Sequence, residues 1–304
     1  MEKLMRTTKK AAVLGMAALS LLCNVASAQG WSKPDMGKLR ATGGVSQLEG
    51  AGGGGLTPWA LITGYGTRDS YGANAHYTEV RTDDYGLRAY GVAIGIADRV
   101  EFSLATQDFM GHLAPLNALD IRQDIVGVKL RVAGDAVYDQ TGMMPQIALG
   151  AQYKRNKGVA GLAALGVTNV KQLGAKDDHG VDVYAAATKL YLAHSLLVNG
   201  TLRMTKANQM GILGFGGDKG DKYQPMLEVS VAYLLNRKTV IGAEYRMKPR
   251  NLGIDNEKDY RDVFLAYFPN KHFSVTAAYA DLGDITIFNP KTQRGWYLSL
   301  QTGF

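Results

Sequence analysis

The chain has 304 residues, a formal charge of +7 and a hydrophobic fraction of 46%. Its one cysteine, Cys23, lies in a leader-like N-terminus, which excludes disulfides, thiol catalysis and thiolate metal sites from the rest of the chain. Beyond that leader no run of about 18 apolar residues occurs, so no transmembrane helix is expected. The leader's net charge of +3 leaves an excess of only +4, too mild to call for a nucleic-acid partner.

Residues 1–28 read as a secretory signal. Lys3, Arg6, Lys9 and Lys10 give a basic start, and Ala11 to Leu22 an apolar run. Ala26-Ser27-Ala28 supplies the small residues a signal peptidase needs, so cleavage is expected after Ala28. Residues 29–55 form a separate segment that ends in four glycines, Gly52 to Gly55. Such a run carries too large a backbone entropy cost to hold a regular element. Two readings stay open: a flexible periplasmic leader, or a small-residue plug packed into the domain that follows.

Residues 56–304 hold about 12 candidate strands, each about 10 to 13 residues long. They are Thr57 to Thr67, Tyr85 to Ile96, Val100 to Phe109, Ile121 to Ala133, Gln146 to Arg155, Val181 to Ala193, Leu196 to Lys206, Gln224 to Leu235, Thr239 to Lys248, Asp259 to Phe268, Phe273 to Ala280 and Arg294 to Phe304. Connections on one side are tight, except for Gly134 to Pro145; those on the other side are long. That alternation, with strands of membrane-crossing length, predicts an all-β transmembrane up-and-down antiparallel β-barrel in the bacterial outer membrane. The longest loop contains GVAGLAALGVTNVKQLG, residues 158–174, where Leu162, Leu165, Val167, Val170 and Leu173 suit one face of a short helix. Such a helix either folds into the barrel mouth or packs on a neighbouring loop.

The last strand reads RGWYLSLQTGF. Trp296, Leu298, Leu300 and Phe304 share one face, and Thr302 is the exception on that face. This pattern resembles the C-terminal assembly signal of outer-membrane barrels and implies the barrel-assembly machinery as a partner. The stretches Ala41 to Thr67 and Tyr85 to Phe109 resemble a proteobacterial family of unknown function (DUF3034-like) across the whole chain beyond the leader. That resemblance implies an outer-membrane location and brings no established activity.

Period-two alternation also assigns faces. Val126, Val128, Leu130 and Val132 belong on the lipid side, so Lys129 and Arg131 belong inside. Lys154, Lys189, Arg203, Arg246 and Lys248 are assigned inward on the same test, as are Glu101, Glu228 and Glu244. Mid-membrane Lys or Arg on the lipid face costs about 2–4 kcal/mol. These ten residues are expected either to line an aqueous pore, whose excess of cations would favour anions, or to fill a salt-bridged interior. Arg88 and Arg261 fall on the lipid phase near the loops, where they can snorkel or meet lipopolysaccharide phosphates. No motif places a histidine and a serine together on one face, and Asp177-Asp178-His179 reads as a solvated loop; no catalytic residue, metal or cofactor is expected. The expected function is passage of a small polar or anionic solute. The alternative is a closed, envelope-associated barrel that binds a partner through its loops or N-terminal segment.

Overall fold

The structure is a computed structural model that describes residues 36–112, 116–255, 258–286, 289 and 291–304. The expected leader and its cleavage point lie outside the described residues. Twelve strands form one closed antiparallel barrel: β3 (Tyr71–Thr82), β4 (Tyr85–Ile96), β5 (Val100–Gly111), β6 (Asp120–Ala133), β7 (Gln146–Ala160), β8 (His179–Tyr191), β9 (Leu196–Thr205), β10 (Gln224–Asn236), β11 (Thr239–Arg246), β12 (Tyr260–Tyr267), β13 (Phe273–Asp281) and β14 (Arg294–Gly303). Each pairs with its sequence neighbour, and β14 pairs with β3 from Gly295↔Thr82 to Gly303↔Asn74 to close the ring. Two further strands, β1 (Val45–Ser46) and β2 (Gly52–Gly53), make a small separate hairpin.

The barrel is apolar outside and polar inside. On β6, Val126 and Val128 are 52% and 43% exposed, whereas Ile125 and Lys129 are 1% exposed. On the closing strand Trp296, Leu298 and Leu300 face outward, while Ser299 and Gln301 are buried. Water-soluble proteins have the opposite arrangement, and hydrocarbon is the solvent that makes this one stable. The chain is an outer-membrane β-barrel. The tight turn between β4 and β5 places Ala97 and Asp98 at φ 56° and 49°. Both central residues are thus left-handed, as in the mirror-image turns that match strand twist.

The strand number agrees with expectation, but the first strand does not. Thr57 to Thr67 is not part of the wall; these residues run through the interior, and β3 comes from a stretch read as loop. The reason is visible in both segments. Pro58 lacks an amide hydrogen, and Trp59 to Ile62 is a continuous apolar run without alternation. β3 does alternate, with Asn74, His76 and Thr78 inward, but its outward face is Ala75, Tyr77, Glu79 and Arg81, a weak apolar signal.

The long loop after β7 also differs from a single helix. It forms two 3-10 turns, Ala163–Leu165 and Val170–Leu173, separated by Gly166 at φ 75°. Asn169 caps the second, its side chain accepting from the Lys171 amide at 2.9 Å. Val170 is fully buried beside Gly214, so this loop packs on its neighbour. The segment that enters the barrel mouth lies in the next long loop: residues 207–216 are all buried. Gln209 and Met210 stand at φ 46° and 62°, which turns the Met210 carbonyl toward Gln123 and Lys154 of the wall, each donating to it at 3.2 Å.

Candidate functional site

The interior is built around residues 41–67, which enter from the β3 end of the barrel and are almost entirely buried. Wall side chains hold this segment mainly by its backbone. Glu101 on β5 accepts from the amides of Gly52 at 2.9 Å and Thr63 at 2.8 Å, and pairs with Lys129 on β6 at 3.0 Å. Lys129 donates in turn to the carbonyls of Gly52 and Leu61, both at 2.8 Å. Across the barrel, Glu244 on β11 accepts from the Gly55 and Leu56 amides at 2.6 and 2.7 Å and from the Thr57 hydroxyl at 2.7 Å. A Cβ at Gly54 would lie 2.1 Å from Glu244 Oε1. The glycine run is therefore a place of close approach between backbone and carboxylate.

At the centre one carboxylate reverses this pattern. Glu49 is the segment's own side chain, fully buried, and wall cations surround it. Arg246 on β11 grips both of its oxygens, Nη1 to Oε2 at 2.9 Å and Nη2 to Oε1 at 3.1 Å. Lys154 on β7 donates to Oε1, and Arg203 on β9 lies 3.4 Å from Oε2. Two wall anions complete the cluster: Asp182 on β8, 2.6 Å from Lys154, and Glu228 on β10, which pairs with Arg203 and lies 3.4 Å from Arg246. Burial alone would push the Glu49 carboxyl up, but Arg246, Lys154 and Arg203 outweigh it and hold the group well below the usual carboxylate range.

The segment also ties into the seam. Gln301 on β14 accepts from the Ser46 amide at 2.8 Å and donates to the Ser46 carbonyl at 3.1 Å, while Asn74 on β3 donates to the Ser46 hydroxyl at 3.1 Å. The Phe304 carbonyl accepts from both Tyr65 and Ala73 amides at 3.0 Å.

The structure brings most of the expected interior residues together. Glu101, Lys129, Lys154, Arg203, Glu228, Glu244 and Arg246 all point inward and contact the segment or its ion cluster. Arg131 also points inward, at the far end, where it binds Asp98, Asp135 and the Gly134 carbonyl. Lys248 lies at the opposite mouth, donating to Gln209 at 3.0 Å.

Lys189 is a correction. It pairs in register with Val198, an outward residue, and its Nζ is capped by the carbonyls of Asp135, Asp139 and Met144. The long turn after β6 reaches over β8 and buries this lysine, so an outward position carries a charge. Asp182 and Asp262 were missed, although each alternates with outward neighbours, Val181 and Val183 or Arg261 and Val263. Glu49 had no periodic signal to reveal it. With these changes the expected excess of cations disappears. Lys129, Arg131, Lys154, Arg203, Arg246 and Lys248 face Glu101, Asp182, Glu228, Glu244, Asp262 and Glu49.

Segment and mouth loop leave little space. Among the described residues, cavities of about 20 Å³ lie beside Gly44, one toward Lys271 and one toward Phe264, each the size of a water molecule. On the outer surface Arg88 stands in register with Glu79 and Asp108, and its Nε has no hydrogen-bond partner. Arg261 is bound to Asp281 at 3.0 Å.

Residues 42–301 match the family described as "Protein of unknown function (DUF3034)". The chain belongs to that family. No curated protein matches the sequence of this DUF3034 barrel. Among solved structures it is similar to the NanC porin, at 9% identity and a TM-score of 0.50, covering 76% of this chain and 98% of that one. It is also similar to the KdgM porin, at 11% identity and a TM-score of 0.46, covering 76% and 99%. Outer membrane phospholipase A from Escherichia coli matches at 8% identity and a TM-score of 0.41, covering 76% and 92%. At such identities the likeness is one of fold, and a fold does not choose a function.

Proposed function

We propose that this barrel is an outer-membrane channel for small polar or anionic solutes, closed at rest by residues 41–67. The observation that carries this reading is the chemistry of the interior. A barrel that only needed filling would be served as well by apolar packing, since buried ion pairs gain little net stability over well-packed apolar groups. Here Glu101, Lys129, Glu244, Arg246, Gln152 and Asn199 line the wall, groups that water hydrates well once the segment withdraws. A polar wall thus favours a segment able to leave, and Glu49 is its central hold.

The test is single-channel recording of the full chain in a planar bilayer. The wild type is expected to be closed for most of the record. Glu49→Gln keeps the shape but removes the charge that three cations hold, and openings should become at least about tenfold more frequent, the equivalent of ~1.4 kcal/mol in the closed-to-open balance. Silence from both proteins would move the function to the second reading, a closed barrel acting through its loops; the burial of residues 207–216 in the outer mouth favours that alternative. Neither reading assigns catalysis. On the outer surface Arg88, on the lipid-facing phase near the loops, remains the contact for lipopolysaccharide phosphate, whereas Arg261 is taken up by its pair with Asp281.

A further inference from the structure

We propose that the seat now filled by Glu49 is the solute station of the open barrel, and that it takes a carboxylate. This rests on the closed-channel reading above. All three cations of the seat belong to the wall: Lys154 on β7, Arg203 on β9 and Arg246 on β11. They stay behind when the segment withdraws. Arg246 presents a two-pronged fork that a planar carboxylate satisfies and a halide does not. The charges around the seat point the same way. Lys154, Arg203 and Arg246 face Asp182, Glu228 and Glu49, so loss of Glu49 leaves one positive charge uncompensated between low-dielectric walls.

The other two stations lack this property. Glu101 and Lys129 neutralise each other. Glu244 stands in register with Asp262, whose two oxygens have no hydrogen-bond partner, so that wall is acidic. Beside the seat, Gln152 bonds Arg203 at 2.8 Å, and the Tyr184 ring lies 5.3 Å from the Arg203 guanidinium carbon. An amide and an aromatic face beside the cations suit a small organic acid with a polar body. In the resting barrel Glu49 imitates that solute from within the chain.

The experiment uses the full chain with Glu49→Ala, which vacates the seat, and sodium acetate as the probe. Acetate should reduce chloride current through this variant at millimolar concentration, and adding Arg246→Gln should weaken the block about tenfold. A second measurement needs no conduction. In detergent, acetate should raise the temperature at which Glu49→Ala loses its folded electrophoretic band, while chloride at equal ionic strength should not. Glu49→Gln, whose seat is filled, should show no acetate effect. A conducting variant that responds equally to acetate and chloride overturns the carboxylate station and leaves the channel reading intact. A variant that is silent overturns both, and a folded band indifferent to acetate overturns the seat itself.

Discussion

Glu49 keeps its charge although it is fully buried, because three cations from three strands converge on it. Its carboxyl is held well below the ordinary range, so the sign of its pH linkage is fixed. A depressed carboxyl contributes stability that is fully present above its unfolded value and is lost as pH falls through its folded value. The hold on the segment should therefore persist through mildly acidic conditions and fail only well below the usual carboxylate range. Melting of the folded band against pH checks this, because Glu49→Gln should lack that acid-side loss; identical acid profiles for the two proteins would remove Glu49 from the closed state. Lys189 makes a contrasting case. Its ammonium binds three carbonyls of the turn after β6 and never meets the interior. Lys189→Ala should lower stability by about 1–3 kcal/mol, the penalty for leaving such acceptors unmet. It should leave the ion selectivity of an opened channel unchanged, and a shift in reversal potential would return this lysine to the pore.

At the level of elements, legibility followed the strength of the outward face. β6 and β14 carry Val126-Val128-Leu130-Val132 and Trp296-Leu298-Leu300, and both were evident from alternation alone. β3 alternates as faithfully on its inner side, but Ala75, Glu79 and Arg81 outside give no apolar contrast, and the nearby apolar run of residues 59–62 takes its place. That run is apolar because it is buried inside the barrel, and continuous burial erases the period that distinguishes a strand. Inner faces are readable where the outward residues are strongly apolar: Lys129, Lys154 and Arg203 lie on the inner side that alternation assigns, whereas Lys189, in a strand with Ala185 and Ala187 outside, does not. What could not be read was partnership. Nothing in the pattern shows that Glu101 and Glu244 grip glycine amides from opposite walls, since those contacts join residues 49 and 189 positions apart.

For the whole molecule, the exchange of a cation-rich lumen for a balanced one changes the expected permeation. With the segment displaced, the six wall cations named above face Glu101, Asp182, Glu228, Glu244 and Asp262, an excess of a single charge. An opened channel should prefer anions only slightly, and the preference should vanish near 1 M salt, where screening acts over about 3 Å. Lys129→Gln should abolish that preference, since it leaves five wall cations facing five wall anions and Glu101 without its partner. The sign of the reversal potential in a salt gradient decides the point, and a strong anion preference that survives this substitution would contradict the balance. The seam has a consequence of a different kind. Ser46 is clasped jointly by Gln301 of the last strand and Asn74 of the first, and the Phe304 carbonyl serves Tyr65 and Ala73 together. The residues that finish the cylinder are also the residues that fasten its contents. Loosening the seam at Gln301 should therefore loosen the seated segment with it, so that closure of the wall and retention of its contents are lost together.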